Sequence, residues 1–221
     1  MGTKYDFLLR TPLFQGIRDD ELKSLLKSMH YSVKKYEKGE IILHTGDTGK
    51  PLGIVMSGKV HIEKCDFWGN KTILDSLGKG QVFAETYACN PDIPLMVSVV
   101  AMEDCEIMFL EVLSLLTDRA YSRSEQQLLT NLFRVSARKN LVLSQRIFHT
   151  SPKTIRGRLI SYLSAQATLS DCQYFDIDFD RQQLADYLNV DRSALSAELG
   201  KMKREGLIDF QKNSFKLINL E

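Results

Sequence analysis

The sequence has little of what marks membrane, secreted or metal-binding proteins. Its 221 residues include only four cysteines, four histidines, five prolines and one tryptophan. No run approaches the roughly 18 apolar residues of a membrane helix, and the first residues lack the basic start and apolar stretch of a signal peptide. We therefore expect a cytoplasmic protein without a membrane partner.

The cysteines and histidines are also too dispersed for a metal site. No Cys-x-x-Cys, His-x-His or His-Glu-x-x-His pattern occurs, although zinc sites and metal-dependent enzymes use such short spacings. The sequence thus predicts no metal ligands and no catalytic residues. In a reducing compartment we expect four buried thiols, which are Cys65, Cys89, Cys105 and Cys172.

An excess of charge of one sign is absent as well. Lys and Arg number 29 against 28 Asp and Glu, so the net charge is +1, and only local clustering is informative. The segment 134–158 contains seven basic residues and no acidic one. Two interpretations stay open for it, a solvated helix face or a surface that contacts phosphates. The residues are Arg134, Arg138, Lys139, Arg146, Lys153, Arg156 and Arg158.

The first half of the chain has the sequence pattern of a β-structure. Between residues 33 and 110, glycines separate short apolar or alternating runs, such as 40–44, 54–56 and 59–63. Runs of this kind, divided by turn residues, predict an all-β sandwich or barrel. Before them, the acidic segment 19–21 and the leucines that follow it predict a short helix.

A long helix is predicted over about 125–150. Glycines are absent there, and the apolar positions cover more than one narrow stripe. This pattern predicts that one face packs on the helix's own domain and another on a second copy of the chain. We expect a homodimer whose helix contacts include Leu128, Leu132, Val135 and Val142. Ser151 and Pro152 predict the start of the next helix, so we place a domain boundary there.

Two helices joined by a tight turn are predicted over 180–206. Asp180 and Gln183 have the spacing of a capping box, Asn189 tolerates the left-handed conformation of a turn, and Asp191 is suited to cap the second helix. The buried side of that helix is formed by Leu195, Leu199 and Met202.

The second of these helices is the candidate recognition helix. Arg192, Ser193 and Ser196 lie outward near its N-terminal end, where such helices meet base edges. A hairpin over 206–218 follows, and the alternating segment 174–179 predicts a third strand, so the unit resembles a winged helix. We expect phosphate contacts from Lys201 and Lys212.

The order of β-roll, long helix and winged helix-turn-helix resembles the Crp/Fnr family of bacterial transcription regulators. The resemblance rests on the segments 38–42, 57–60, 80–85 and 190–196. It implies an α+β chain with a β-roll (jelly-roll) effector domain over 1–124, a dimerisation helix over 125–150 and a winged helix-turn-helix domain over 151–221. It further implies a homodimer that binds a palindromic operator in double-stranded DNA and contacts RNA polymerase.

The effector site departs from the family pattern. Members that bind a cyclic nucleotide keep a Gly-Glu pair for the ribose and an Arg-Ser pair for the phosphate. Here the first pair reads Ala84-Glu85, and the segment 92–98 that matches the second contains no arginine. A phosphodiester without its guanidinium loses its charge partner, so we do not expect cyclic AMP to bind.

Two alternatives remain for this pocket. Either a different, unidentified small effector controls the protein, or the pocket is closed by its own side chains and DNA binding is constitutive. The predicted pocket residues are Phe83, Ala84, Glu85, Thr86, Leu95, Met96, Val97 and Ser98.

The recognition helix departs from the pattern too. Ala197 stands where many family members carry a second arginine, and Glu198 stands at a position that is often apolar. Loss of one bidentate guanine contact removes about 1–3 kcal/mol of discrimination per half-site. We therefore expect an operator that differs from that of the cyclic-AMP receptor, read by a slightly rotated helix.

Overall fold

The structure is a computed structural model that describes residues 5–66, 68–69, 71–117 and 120–218. It divides into two compact units, Met1–Ala137 and Arg138–Glu221, and one helix, α3 (Arg123–Thr150), contributes to both. Family resemblance predicts domain boundaries at the two ends of this helix, and those boundaries stay predictions.

The first unit begins with a short 3-10 helix, Asp6–Arg10, and with α1 (Asp19–Ser28). The helix α1 was predicted from its acidic start, and three acidic residues do occupy its first turn, where they face the positive end of the helix dipole. Its leucines Leu22, Leu25 and Leu26 are buried. They belong to a core cluster that also includes residues of the β-strands and of α3.

Two four-stranded antiparallel sheets form the β-roll that the sequence predicted. One has the strand order β1-β8-β3-β6 and the other β2-β7-β4-β5. The strands are β1 (Tyr31–Tyr36), β2 (Ile41–Leu43), β3 (Leu52–Ser57), β4 (Val60–Cys65), β5 (Lys71–Leu77), β6 (Val82–Phe83), β7 (Ser98–Ala101) and β8 (Cys105–Leu110). A single turn of helix, α2 (Glu85–Ala88), follows β6, and a 3-10 helix, Leu113–Leu116, follows β8.

Gly58, in the tight turn between β3 and β4, is a position that only glycine fits. Its φ is +79°, and a Cβ there would lie 2.6 Å from the carbonyl oxygen of Asp104. Any other residue would suffer both backbone strain and a clash. This glycine therefore holds the β3–β4 turn close to the start of β8.

The long helix α3 confirms the predicted element but not all of the predicted dimer contacts. Leu128 and Leu132 are 0% and 4% exposed and lie in the core of the first unit, so the expectation that they form an outward seam is corrected. Val135 packs beside that core. Val142 is exposed, and it belongs to a set of large apolar side chains that are more than half exposed on α3: Phe133, Leu141, Val142, Leu143, Ile147 and Phe148.

The prediction of four buried thiols is wrong. Only Cys105 is buried, Cys89 is intermediate, and Cys65 and Cys172 are exposed. Cys65 is the last residue of β4, beyond the part of that strand that packs in the roll, and Cys172 follows the end of α4 (Ile155–Ser170). Among the residues that the structure describes, no helix is long and apolar enough to cross a membrane.

The second unit contains α4, α5 (Arg181–Leu188) and α6 (Arg192–Arg204) with a three-stranded sheet. The sheet has the order β10-β11-β9, with β9 (Tyr174–Asp176), β10 (Ile208–Gln211) and β11 (Ser214–Leu217). The hairpin of β10 and β11, which we call the wing, confirms the predicted hairpin. The third strand is shorter than predicted, because after β9 the backbone pairs only through Ile177, whose N–H donates to the carbonyl of Asn213.

The start of α4 also differs from its prediction. Thr154, and not Ser151, caps the helix by accepting a 3.0 Å bond from the N–H of Gly157. The hydroxyl of Ser151 instead donates to the carbonyl of Ile147, 2.6 Å away, in the last turn of α3. Ser151 therefore ends one helix and Thr154 begins the next.

Candidate nucleic-acid interface and effector pocket

The turn between α5 and α6 has the predicted local chemistry. At the start of α5, the side chain of Asp180 accepts from the N–H of Gln183 at 2.8 Å, and the side chain of Gln183 accepts from the N–H of Asp180 at 2.9 Å. Asn189 ends α5 in the left-handed conformation, with φ 53° and ψ 56°. Asp191 caps α6 by accepting from the N–H of Ala194 at 2.9 Å. These bonds confirm the predicted caps and turn.

The N-terminal end of α6 presents the predicted base-reading side chains. Arg192, Ser193 and Ser196 are all exposed, while Leu195, Leu199 and Met202 are buried in the core of the unit. The hydroxyl of Ser193 donates to the carboxylate of Asp191, and this bond is the main reason that the pKa of Asp191 lies below its usual value. Ser193 is thus held by the cap, whereas Arg192 makes no ion pair among the described residues.

Two arginines hold the C-terminal end of α5. Arg146 donates from Nε and Nη2 to the carbonyls of Tyr187 and Asp186, at 3.3 and 3.1 Å. Arg158 donates from Nη1 to the carbonyls of Leu188 and Asn189, at 3.0 and 2.9 Å. The last carbonyls of a helix have no partner within it and carry partial negative charge. The two cations therefore stabilise both the end of α5 and the turn that follows.

This arrangement resolves part of the question about the basic segment. Arg146, Arg156 and Arg158 are neither simply solvated nor free for phosphates, because each makes several bonds within the second unit. Sequence reasoning missed this role. An arginine-rich segment without acids was visible, but its partners are backbone carbonyls and carboxylates 30 to 49 residues further along the chain.

Glu198, on α6, has a partner that explains its presence at a position where apolar residues are common. The Nε of Arg156, in the first turn of α4, donates to Oε1 of Glu198 at 2.6 Å. The same guanidinium binds the carboxylate of Glu205 through both terminal nitrogens, at 2.8 and 3.0 Å. These two hydrogen bonds from Arg156 lower the pKa of Glu205.

The wing is attached to the start of α5 by Arg181. Its guanidinium lies 5.1 Å from the ring of Phe210 and 5.0 Å from that of Phe215, and Nη2 donates to the carbonyl of Lys212 at 2.5 Å. Burial lowers the pKa of Arg181. Lys212 lies in the two-residue turn of the hairpin, with φ +50°, and its side chain is exposed at the tip of the wing.

An aromatic cluster joins Tyr187 of α5 to His149, Tyr162 and Phe179. Tyr187 donates to or accepts from Nδ1 of His149 at 2.9 Å, and Tyr162 contacts His149 edge to face with the ring centroids 5.5 Å apart. Phe179 completes the cluster by stacking on Tyr162. Burial raises the pKa of Tyr162 to about 12 and lowers that of His149, so the cluster is neutral at physiological pH and packs as a core.

Several lysines and arginines around α6 and the wing make no ion pair within the described part of the chain. Lys203 is engaged, because its Nζ lies 2.5 Å from the carboxylate of Asp209. The other exposed cations make no ion pair within the described part of the chain, and they are Arg192, Lys201, Arg204, Lys212 and Lys216. A cluster of exposed cations beside a helix-turn-helix is the electrostatic pattern of a phosphate-binding surface.

The predicted effector segment begins with a strained residue. Ala84 adopts φ 58° and ψ 16°, a left-handed conformation that glycine adopts without strain and other residues at a cost of about 1 kcal/mol. Glu85 follows and is buried, 6% exposed. Phe83 is fully buried against Gly53, where a Cβ would lie 2.2 Å from its ring. Thr86, in contrast, is exposed.

The segment that matches the phosphate-binding part of the family pocket is folded against the loop after β2. The N–H of Leu95 donates to the carbonyl of Asp47, and the carbonyl of Leu95 accepts from Gly46, both at 2.8 Å. Leu95 is 3% exposed and packs in the core of the roll. Met96 is exposed, and its N–H donates to the hydroxyl of Tyr87 at 3.3 Å.

The end of this segment is tied to the same loop by side chains. The hydroxyl of Ser98 lies 3.0 Å from that of Thr45 and accepts from the Thr45 N–H at 3.1 Å. Val97 is half-buried. The eight predicted pocket residues therefore comprise two core side chains, one buried carboxylate and a half-exposed loop.

Comparison with known proteins identifies both halves of the chain. Residues 33–117 match the cyclic nucleotide-binding domain, and residues 157–221 match the Crp-like helix-turn-helix domain. The cyclic AMP receptor protein of Thermus thermophilus is 32% identical over 100 residues, which cover 45% of this chain and 45% of that relative. The probable transcriptional regulator flp of Lacticaseibacillus casei is 24% identical over 212 residues, covering 95% and 93% of the two chains.

A solved structure is similar over almost the whole length. The catabolite activator protein of Thermus thermophilus is matched with a TM-score of 0.52 and 23% identity, and the match covers 94% of each chain. At this identity the likeness concerns the fold. Crp-like helix-turn-helix regulators bind DNA, and their family consists of transcription regulators and not of enzymes. The chain, with a cyclic nucleotide-binding domain followed by a Crp-like helix-turn-helix, belongs to the Crp/Fnr family of transcription regulators.

Proposed function

We propose that the protein is a homodimeric regulator that binds a palindromic operator in double-stranded DNA. The observation that carries this proposal is the N-terminal end of α6, where Arg192 and Ser196 are exposed while both ends of the preceding turn are capped. Arg192 reads a guanine edge, and Ser193 and Ser196 contact bases or the backbone beside it. Lys201 and Lys212 contact phosphates. The protein contacts RNA polymerase at the promoter.

The homodimer is supported by the surface of α3. Six large apolar side chains of this helix are more than half exposed, and monomeric soluble proteins rarely expose so many together. Phe133, Leu143 and Ile147 lie within about 80° of one another around the helix, so a second copy of the same helix buries these three in a symmetric contact. Two recognition helices related by a two-fold axis then meet two half-sites about one turn of DNA apart.

The effector of this regulator, we propose, is a small molecule other than cyclic AMP. The matched cyclic nucleotide-binding domain, residues 33–117, contains no arginine at all. A cyclic phosphodiester placed beside the segment 92–98 finds no guanidinium from residues 33–117 to pair with, and a desolvated anion without such a partner is costly. The apolar residues Leu95 and Met96 instead favour an apolar effector.

A second function is favoured by the packing of the same segment. The side chain of Leu95 is part of the core of the roll, and the backbone N–H of Met96 donates to the hydroxyl of Tyr87. These contacts favour a pocket that is closed by the protein itself. In this alternative the sensor is vestigial and DNA binding is constitutive. The two alternatives differ in whether any small molecule changes the affinity for DNA.

One selection experiment tests both alternatives. The purified protein is incubated with a random pool of duplex DNA at one fixed salt concentration, with and without a metabolite extract. A palindrome enriched only with extract supports an effector, and one enriched in both arms supports constitutive binding. No enrichment in either arm overturns the DNA-binding proposal. A thermal shift with cyclic AMP tests the effector separately, since a ligand at 100 times its Kd stabilises by about 2.7 kcal/mol.

The base-reading role of Arg192 has a matched control on the same helix. Arg192→Ala should reduce the ratio of operator to non-specific affinity by about 5- to 150-fold, which corresponds to the 1–3 kcal/mol of a bidentate base contact. Lys201→Ala should weaken binding to every sequence alike and reduce the salt slope by about 1. Competition titrations measure both, and an unchanged ratio in Arg192→Ala would refute the assignment.

A further inference from the structure

The bridge between α4 and α6 has a geometry that goes beyond ordinary surface ion pairing. Arg156 uses all three nitrogens of its guanidinium on two carboxylates of the same helix or its cap, Glu198 at 2.6 Å and Glu205 at 2.8 and 3.0 Å. The side chains of Arg156 and Glu198 are 33% and 22% exposed. The side chain of Glu205 is 38% exposed, but its pair with Arg156 is bidentate, and a bidentate arginine–carboxylate pair has a defined geometry as well as energy.

The two carboxylates lie on one side of α6. Glu198 and Glu205 are about two helical turns apart, with Cα atoms separated by about 10 Å along the axis, so their side chains project in nearly the same direction and converge on one guanidinium. A single contact would leave α6 free to tilt around it, whereas rotation of α6 about its own axis carries both carboxylates sideways, away from the guanidinium. Two contacts to one guanidinium, one near the middle of the helix and one at its C-cap, oppose rotation of α6 about its own axis.

The anchor is itself fixed. Arg156 lies in the first turn of α4, which is capped by Thr154, and α4 contributes Leu159 and Leu163 to the core that also receives the buried side of α6. Apolar packing sets the distance between the two helices, but it tolerates small rotations. The directional bonds of Arg156 supply the constraint that packing does not.

The rotational setting of α6 matters because base reading is sensitive to it. A side chain at the edge of a helix lies about 6 Å from the axis, so a rotation of about 20° moves it by about 2 Å. Hydrogen bonds are made only over about 2.7–3.2 Å. A small rotation therefore decides whether Arg192 and Ser196 reach the same base edges.

From this geometry we propose that Arg156 is a positioning residue that determines sequence specificity by fixing the rotation of α6. It does not touch DNA in this role, because its nitrogens are occupied by Glu198 and Glu205. The inference rests on the proposed function, in which α6 reads the operator. We call Arg156, Glu198 and Glu205 together the clamp. The clamp determines which base sequence is preferred, and the exposed cations provide the general affinity for DNA.

The test compares variants of the full-length protein in the same random-pool selection and in competition titrations at fixed salt. Arg156→Lys keeps the charge but loses the fork that binds two carboxylates, and Arg156→Gln loses both. We expect both variants to lose about tenfold in the ratio of operator to non-specific affinity and to broaden the enriched half-site. Lys153→Gln is the control, because Lys153 is exposed, carries the same charge close by and lies outside the clamp.

A further variant separates positioning from charge. Glu198→Gln combined with Glu205→Gln removes two negative charges near the DNA and frees Arg156, so it should bind all DNA more tightly and yet lose operator preference. Melting curves establish that each variant is folded, and Arg156→Lys is informative even where Arg156→Gln is not. If Arg156 contacts a phosphate instead, its variants will weaken binding to all sequences equally, which overturns the clamp.

Failure of the clamp and failure of the proposed function give different results. If the wild-type protein enriches a palindrome and the Arg156 variants enrich the same one with the same ratio, the positioning role is overturned and DNA binding stands. If the wild-type protein enriches nothing, the proposed function is overturned and the role of the clamp in base reading falls with it.

Discussion

Replacement of Arg158 by methionine tests whether the helix-turn-helix depends on the arginines that sequence reasoning missed. Arg158 donates three bonds of 2.9 to 3.0 Å to the carbonyls of Pro152, Leu188 and Asn189. Methionine keeps most of the apolar stem and removes every donor. The end of α5 then loses the two hydrogen bonds that Arg158 donates to Leu188 and Asn189. It also loses a cation that interacts favourably with the helix dipole.

The expected cost follows from the number and exposure of these bonds. A hydrogen bond from a charged group contributes about 1.5–3 kcal/mol, and a carbonyl that water can reach recovers part of this. Leu188 is fully buried, so its carbonyl gains no water, whereas Asn189 is exposed and Pro152 is half-buried. We therefore expect a total loss of about 2–3 kcal/mol for the second unit. By the relation of 1.4 kcal/mol per factor of ten, this equals about 30- to 150-fold in the opening equilibrium.

Hydrogen exchange read by mass spectrometry is the appropriate assay, since it reports the two units separately. Amides of α5 and α6 should exchange about 30- to 150-fold faster in Arg158→Met, while those of β3 and β8 should not change. Lys153→Met is the control, and it should shift exchange by less than about twofold, as expected of a substitution at an exposed site without partners. Unchanged exchange in α5, or equal acceleration in both units, would refute the role assigned to Arg158.

Four further predictions concern burial, self-association, titration and backbone freedom. Leu132→Ala should cost the first unit about 2–5 kcal/mol in urea unfolding, because its side chain is 4% exposed, whereas Leu143→Asp should leave stability almost unchanged and lower self-association in sedimentation. The pKa of His149 is lowered in the folded state by burial, so the unfolded chain binds more protons below about pH 6.5. Melting temperatures should fall as the pH drops from 7.5 to 5.5, and His149→Gln should flatten that dependence. Gly200→Ala should stabilise the second unit by about 0.5–1 kcal/mol in urea unfolding, since a Cβ there meets nothing within 4 Å.

Each of these has a contradicting outcome. An unchanged unfolding midpoint in Leu132→Ala would show that this side chain is not in the core. Undiminished self-association in Leu143→Asp would show that Leu143 does not take part in the dimer contact. Parallel pH profiles for the wild type and His149→Gln would mean that this histidine does not set the acid sensitivity. Destabilisation by Gly200→Ala would mean that α6 needs the glycine.

The elements themselves could be predicted because their causes are local. The capping box at Asp180, the left-handed Asn189 and the cap at Asp191 depend on residues two or three positions away, and all three are found as predicted. The β-roll was visible from glycines between short apolar runs, since turns need those residues. The resemblance to the Crp/Fnr family then predicted how these elements combine into a β-roll, a long helix and a winged helix-turn-helix.

Predictions that depended on which side of an element is covered were less secure. The period of α3 predicts two apolar faces, but only packing decides that Leu132 belongs to the core and Phe133, 73% exposed, to the outside. Likewise, cysteine content says nothing about depth, and Cys65 and Cys172 lie at element ends where no neighbour covers them. Burial is a property of the neighbours and not of the residue.

The sequence by itself determined the order of β-roll, long helix and helix-turn-helix, and which side chains of α6 lie outward, because periodicity, caps and turns act over a few residues. Only the tertiary structure decided what the basic segment does. Arg146 finds its carbonyl partner 40 residues away, and Arg156 finds Glu198 42 residues away. The physical reason is that a guanidinium donates to carbonyls, carboxylates and phosphates alike, wherever the fold brings them, so charge pattern alone cannot distinguish a clamp within the protein from a contact with DNA.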